Sequence, residues 1–97
     1  MADVRFEWDA RKSRANKTKH GVSFEEAQTA FLDEHARVIP DTKHSDDEER
    51  FVLLGMSVRL RALVVCHCYR ASDQVVRIIS ARRADPSERR QYAEYLP

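Results

Sequence analysis

With 97 residues the chain has room for one small domain, and a domain of this size buries only roughly 60 to 65% of its unfolded surface. Its 42% hydrophobic and 34% charged content predicts a globular fold, and no window approaches the roughly 20 consecutive apolar residues of a membrane span. The net charge of +1 conceals segregation: nine acids face two bases between Glu25 and Glu49, whereas seven arginines face one acid between Arg50 and Arg83.

Another basic block, from Arg11 to Lys19, precedes the acidic one. Each block alone reads as solvated surface. If the two basic blocks meet in space, they form a surface for an anionic ligand. The start, MADVRFEWD, lacks the cationic and then apolar order of a secretory signal, so the cytoplasm is the expected compartment.

Arg5 to Trp8 is predicted as a short edge strand. Asp9 then caps a helix from about Ala10 to Lys19 that stops at Gly21. Ser23 and Glu26 form an S-x-x-E capping box. Phe24, Ala27, Ala30 and Phe31 recur at helical spacing, which predicts a second helix to about Leu32. Arg37 to Ile39 is a short strand ended by Pro40, and Asp41 to Glu49 is a polar loop.

Three runs rich in Val, Leu and Ile follow, Arg50 to Ser57, Arg61 to Arg70 and Gln74 to Arg82, and they predict an antiparallel meander. Asp85, Pro86 and Glu88 supply an N-cap, a first-turn proline and a capping-box acid for a closing helix that carries Tyr92 and Tyr95. The expected class is therefore α+β, an antiparallel β-sheet with two N-terminal helices and a C-terminal helix.

If Ala71 to Gln74 is a turn, Arg70 lies opposite Val75. A regular ladder then sets His67 against Ile78, Val65 against Ser80 and Leu63 against Arg82. His67, Tyr69, Ser80 and Arg82 would share one face, with His67 and Arg82 roughly 13 Å apart along the backbone. Arg77 would fall on the other face with Cys66 and Cys68, unless a bulge intervenes. The two cysteines are read as reduced core thiols, and alternation turns His67 away from both sulfurs, so no metal site is expected.

FEWD at Phe6 to Asp9, N-x-x-KHG-x-SFEEA from Asn16 to Ala27, HS-x-x-EER from His44 to Arg50, and HCYR followed by RIISARRA from His67 to Ala84 together resemble the BrnT family of bacterial type II toxins. The order and spacing of these pieces carry the resemblance, which spans nearly the whole chain as one toxin domain. It implies a RelE-like ribonuclease fold, RNA cleavage that stops translation, and neutralisation by a BrnA-type antitoxin. That antitoxin would carry a ribbon-helix-helix domain, so DNA would be met only indirectly, through it. Cys66 and Cys68 stand where the family more often has Val and Thr or Ser, and Ala10 replaces a frequent Pro.

Metal-free RNA cleavage uses the ribose 2′-hydroxyl as nucleophile. The protein must supply a base, an acid for the leaving 5′-oxygen, and positive charge for the phosphorus centre. No cofactor is needed. The guanidinium fork suits the last role, which falls first to Arg82, at the end of a strand, with Arg83 and Arg77 as substitutes.

For proton transfer the candidate is His67, whose ordinary pKa is about 6.5. A strand histidine among valines and cysteines reads equally as a neutral core residue. Tyr69 either hydrogen-bonds substrate or packs. Lys19 and His20 either bind phosphate or complement a helix dipole. Arg50, Arg61 and Arg70 are candidates for phosphate contacts or for an acidic antitoxin segment. Trp8 either stacks on a base or staples the core, the second being commoner. Glu48 and Glu49 include a possible general base, although acids in a loop usually face solvent. A non-catalytic binding or repressor module on the same basic surface, and a small metal-binding protein, are the other two function classes.

Overall fold

The side chain of Asp9 accepts hydrogen bonds from the backbone N–H of Arg11 (2.8 Å) and Lys12 (3.2 Å) and so starts helix α1, Ala10–His20. Gly21 ends it at φ +73°, with its N–H bonded to the Lys17 carbonyl at 2.8 Å. The structure, a computed structural model, describes residues 4–43, 48–72 and 74–97. The predicted loop residues from His44 to Asp47, the turn residue Asp73 and the first three residues lie outside that set.

Helix α1 presents almost no apolar side chain, and polar bonds dock it. Asn16 donates from Nδ2 to the carbonyls of Val22 and Ala81, both at 2.8 Å, and its Oδ1 accepts from the Ala81 N–H at 3.1 Å. Helix α2, Phe24–Thr29, is capped by Ser23 Oγ, which accepts from Glu26 N–H at 3.0 Å. The predicted helix to Leu32 instead tightens after Thr29 into a 3₁₀ turn, Ala30–Leu32. Thr29 Oγ1 bonds back to the Glu26 carbonyl at 2.6 Å, a local competitor of the helical ladder.

The five-stranded sheet has the order β1-β5-β4-β3-β2, with β1 Arg5–Glu7, β2 Arg37–Pro40, β3 Phe51–Met56, β4 Ala62–Arg70 and β5 Val75–Arg83. The four later strands form the predicted antiparallel meander, but β1 pairs with β5 in parallel, so the sheet is mixed. β2 is an edge strand, which is why Pro40 is tolerated at its end. β1 covers only Val75 to Arg77 of β5. The Asn16 amide, bonding both the N–H and the C=O of Ala81, takes the place of a neighbouring strand farther along.

Helices α1 and α2 lie against one face of the sheet over a core that includes Val22, Phe24, Leu53, Leu63, Val65 and Ile78. Helix α3, Pro86–Tyr95, closes part of the opposite face, where Tyr92 packs with Leu54 and Ala84. Its capping box is complete: Asp85 Oδ1 accepts from Glu88 N–H at 2.8 Å, and Glu88 Oε1 accepts from Asp85 N–H at 2.9 Å. Tyr92 Oη donates to Asp33 Oδ2 at 2.5 Å, which ties α3 to the far side of the domain. Among the described residues, no helix is long and apolar enough to cross a membrane.

One feature of the ladder corrects the expected register. Arg70 opposes Val75 and His67 opposes Ile78 as predicted, but Cys66 then opposes Ser80, which leaves Ile79 as the extra residue of a β-bulge. Beyond it Val65 faces Ala81, Val64 faces Arg82 and Leu63 faces Arg83. The bulge reverses the alternation, so small Ala81 enters the helix-side core at 2% exposure and Arg82 projects from the opposite face. A regular ladder would have pushed a guanidinium toward apolar packing, at a large desolvation cost.

Candidate functional site

On the sheet face that α3 leaves partly open, a groove of about 290 Å³ is floored by Val52, Val64 and Cys66. His20 from the end of α1, Arg50 just before β3 and Arg82 from β5 form its basic walls, and Asp41 adds a carboxylate to the lining. No lysine or arginine of the first basic block, Arg11 to Lys19, lines this groove, so the two blocks do not meet in it. Helix α1 reaches it only through its last residue, and the docking of α1 by Asn16 against β5 fixes where His20 stands.

Arg82 is held end-on by Glu88, with Nη1 to Oε1 at 2.7 Å and Nη2 to Oε2 at 2.8 Å, while Nη1 also donates to the Arg83 carbonyl at 3.3 Å. Those bonds use three of the five N–H donors of a guanidinium. The Nε–H and one Nη2–H remain, which is the side-on edge that grips two oxygens of an anion. The Arg82 guanidinium holds the Glu88 carboxyl below the usual carboxylate range, so the partner stays ionised at neutral pH. Cys66 lines the groove as a protonated thiol, since burial pushes its pKa up and Asp41 adds to the shift.

His67 stands elsewhere. It is fully buried on the helix side of the sheet, with the rings of Phe31, Tyr69 and Phe51 at 4.8, 5.2 and 6.1 Å. Its Nδ1 lies 3.1 Å from the Val65 carbonyl, which only accepts, so the ring proton sits on Nδ1. Nε2 is then free to accept from Tyr69 Oη at 3.2 Å. Burial lowers its pKa and keeps the ring neutral. The expected row of His67, Tyr69, Ser80 and Arg82 is thus divided: the bulge leaves the first two on the core side and turns Ser80 and Arg82 to the groove.

The remaining candidates are dispersed. Arg61 donates from Nε to Glu26 Oε2 at 2.9 Å, from Nη2 to Glu26 Oε1 and from Nη2 to the Gly21 carbonyl at 3.0 Å, so it locks α2 to the sheet. Glu26, read as a capping-box acid, turns inward to this pair and to Ser57, and leaves only the Ser23 half of the box. Arg70 and Arg77 share Glu7, at 3.0 and 3.8 Å. Trp8 is half-buried and meets Phe24 edge to face at 6.3 Å. Lys19 is exposed beside His20.

Arg83 lies in a separate depression with Arg61 and Arg89. Glu48 and Glu49 line another, with Phe51 and Tyr69. Among the described residues, no three His, Cys, Asp or Glu side chains gather as a metal-binding group. Reading the sequence missed Glu88 as the holder of Arg82, although the spacing of six between a strand-end arginine and a first-turn glutamate was visible.

A mixed five-stranded sheet with helices on both faces, and a groove that brings Arg50 and Arg82 together, define an α+β domain. Comparison makes it particular. A family model described as the ribonuclease toxin BrnT of type II toxin-antitoxin systems matches residues 8–88, and the chain belongs to that family. The crystal structure of the Brucella abortus ribonuclease toxin BrnT superposes with a TM-score of 0.64 at 24% identity, covering 84% of this chain and 97% of that one, and so shares the fold. Comparison with curated proteins finds no match.

Proposed function

We propose that this ribonuclease toxin cleaves RNA without a metal ion, in the groove walled by His20, Arg50 and Arg82. The observation that carries the reading is their convergence from three separate elements onto one cavity. In this mechanism the side-on edge of Arg82 binds two oxygens of the scissile phosphate, and Arg50 adds charge. His20 takes the proton from the attacking ribose 2′-hydroxyl, an exchange suited to an imidazole near neutral pH. The new O–P bond forms as the bond to the 5′-oxygen breaks, and that oxygen takes a proton from water. The products are a 2′,3′-cyclic phosphate and a 5′-hydroxyl.

This assignment moves proton transfer from His67 to His20. A neutral ring sealed among Phe31, Phe51 and Tyr69 supports packing, whereas His20 faces the cavity. In the cell the reading places the protein in the cytoplasm, where RNA cleavage stops translation. A BrnA-like antitoxin with a ribbon-helix-helix domain would neutralise it and carry the complex to DNA.

The test is incubation of the purified chain with a defined RNA in chelator, with end-group analysis of the products. Cyclic phosphate ends that disappear with His20→Gln and Arg82→Ala, while His67→Gln still cuts, support the proposal. Intact RNA in chelator, or cleavage unaffected by both groove variants, overturns it.

A further inference from the structure

The turn from Ser57 to Arg61, between β3 and β4, is rigid yet presents apolar side chains to water. Leu60 adopts φ +62°, a left-handed conformation in which a branched residue without a local polar bond is strained, and it is 82% exposed. Val58 is 67% exposed. The backbone beneath them is pinned: Leu60 N–H bonds the Ser57 carbonyl at 2.9 Å, and Val58 N–H bonds Thr29 Oγ1 at 3.0 Å. Ser57, itself buried, donates from Oγ to Glu26 Oε2 at 2.7 Å. No core contact explains why a leucine, rather than glycine or asparagine, occupies the strained position.

Beside Leu60 opens a depression of about 330 Å³ lined by Arg61, Arg83 and Arg89 and by no carboxylate. Arg59 on the same turn is 65% exposed at the side chain and lies 3.7 Å from Glu26 Oε1, so its charge is already met. Among the described residues, Arg83 has no ion-pair partner. Glu26 already pairs with Arg61, but among the described residues Arg83 and Arg89 pair with no carboxylate, and apolar knobs on a stiff turn beside them call for a ligand that is both acidic and apolar. A nucleic acid would leave Leu60 and Val58 uncovered.

We propose that this end of the sheet, and not the groove, is the docking surface for the antitoxin, which presents an acidic segment with apolar anchors. The inference rests on the pairing of toxin with antitoxin that family membership brings, and not on the chemistry assigned to the groove. Leu60 fits between apolar anchors of the segment, and its carboxylates pair with Arg83 and Arg89. The strained turn is preorganised, so little ordering cost falls on this side of the interface.

The test measures binding of the full chain to a BrnA-type antitoxin, by titration calorimetry, for wild type, Leu60→Gly and Leu60→Asp. Glycine relieves the left-handed strain, so Leu60→Gly should melt at or above the wild-type temperature. It should nevertheless bind about 30-fold or more weakly, as expected for an interface anchor. Leu60→Asp should bind more weakly still, through repulsion by the acidic segment. RNA cleavage by both free variants is read in parallel and should match that of the unaltered chain, so failure of the groove mechanism shows itself separately. Affinities within about threefold of wild type for both variants overturn the proposal. Loss of RNA cleavage with antitoxin affinity retained, or self-association of the free chain that Leu60→Asp abolishes, also overturns it by identifying RNA or a second copy as the occupant.

Discussion

The Arg82 guanidinium and the Glu88 carboxylate meet fork to fork, at 2.7 and 2.8 Å, across the junction between β5 and α3. The pair joins the first turn of the closing helix to the groove, so the same acid caps a helix and aims a cation. Because the side chains are 45% and 22% exposed, solvent screens much of their attraction, and orientation matters more than net stabilisation.

Arg82→Ala should reduce cleavage of a defined RNA by on the order of 10² to 10³ with little change in melting temperature. Arg82→Lys should recover less than about a tenth of the lost rate, because an ammonium keeps the charge without the two-pronged edge. Single-turnover cleavage rates, read alongside thermal melts, check both. Full activity in Arg82→Lys would show that the fork is not used.

Acid should weaken the fold before any carboxylate titrates. The His67 pKa is lowered by burial, so the unfolded chain takes up this proton first as pH falls below the free imidazole value of about 6.5. Stability should therefore drop between about pH 7 and 5, by up to about 1.4 kcal/mol per pH unit. Denaturant melts across that range should show the slope, and His67→Gln should flatten it. An unchanged slope in that variant would place the proton elsewhere.

The opposite sign applies to Tyr92. Burial and the Asp33 hydrogen bond push its pKa up from 10.0 to about 12. The unfolded chain loses this proton first, so the contribution is present below pH 10 and is lost as pH rises toward 12. Tyr92→Phe should cost about 1 to 2 kcal/mol at neutral pH and remove that part of the alkaline loss, as measured by urea unfolding.

Asn16→Ala should be among the most damaging changes on α1. It leaves the Val22 carbonyl and both backbone groups of Ala81 without their partner. Each such buried group costs roughly 1 to 3 kcal/mol, so a total loss of about 3 kcal/mol is expected. Hydrogen exchange at the Ala81 amide should accelerate in step, and retained protection there would contradict the account.

The elements most legible in the sequence were those decided by local chemistry. Asp9, Gly21, Ser23 and the Asp85-Pro86-Glu88 start each act within a few residues, and their caps stand where the motifs predicted. The meander was legible from its β-branched runs. What escaped was non-local. Glu26 finds Arg61 across 35 residues, and Asn16 finds Ala81 across 65, and no spacing rule encodes either. The parallel pairing of β1 depends on the path of the whole chain. Register was half legible: the turn set it from Arg70 to His67, and an extra residue then changed it, because burying Ala81 is favoured over burying Arg82. Arg82 is legible from its place at a strand end, whereas His20 at a helix end reads equally as a phosphate contact or a partner of the helix dipole, because its neighbour across the groove comes from a distant strand.

The unpaired Ile79 has a further meaning for homologous chains. Position along β5 and side of the sheet are decoupled at that residue, so a relative that lacks the insertion must carry its cationic side chain one place earlier or later to reach the same cavity. Alignments that match arginine to arginine column by column will therefore pair residues that point in opposite directions. Strand length and arginine placement should be inherited as a unit.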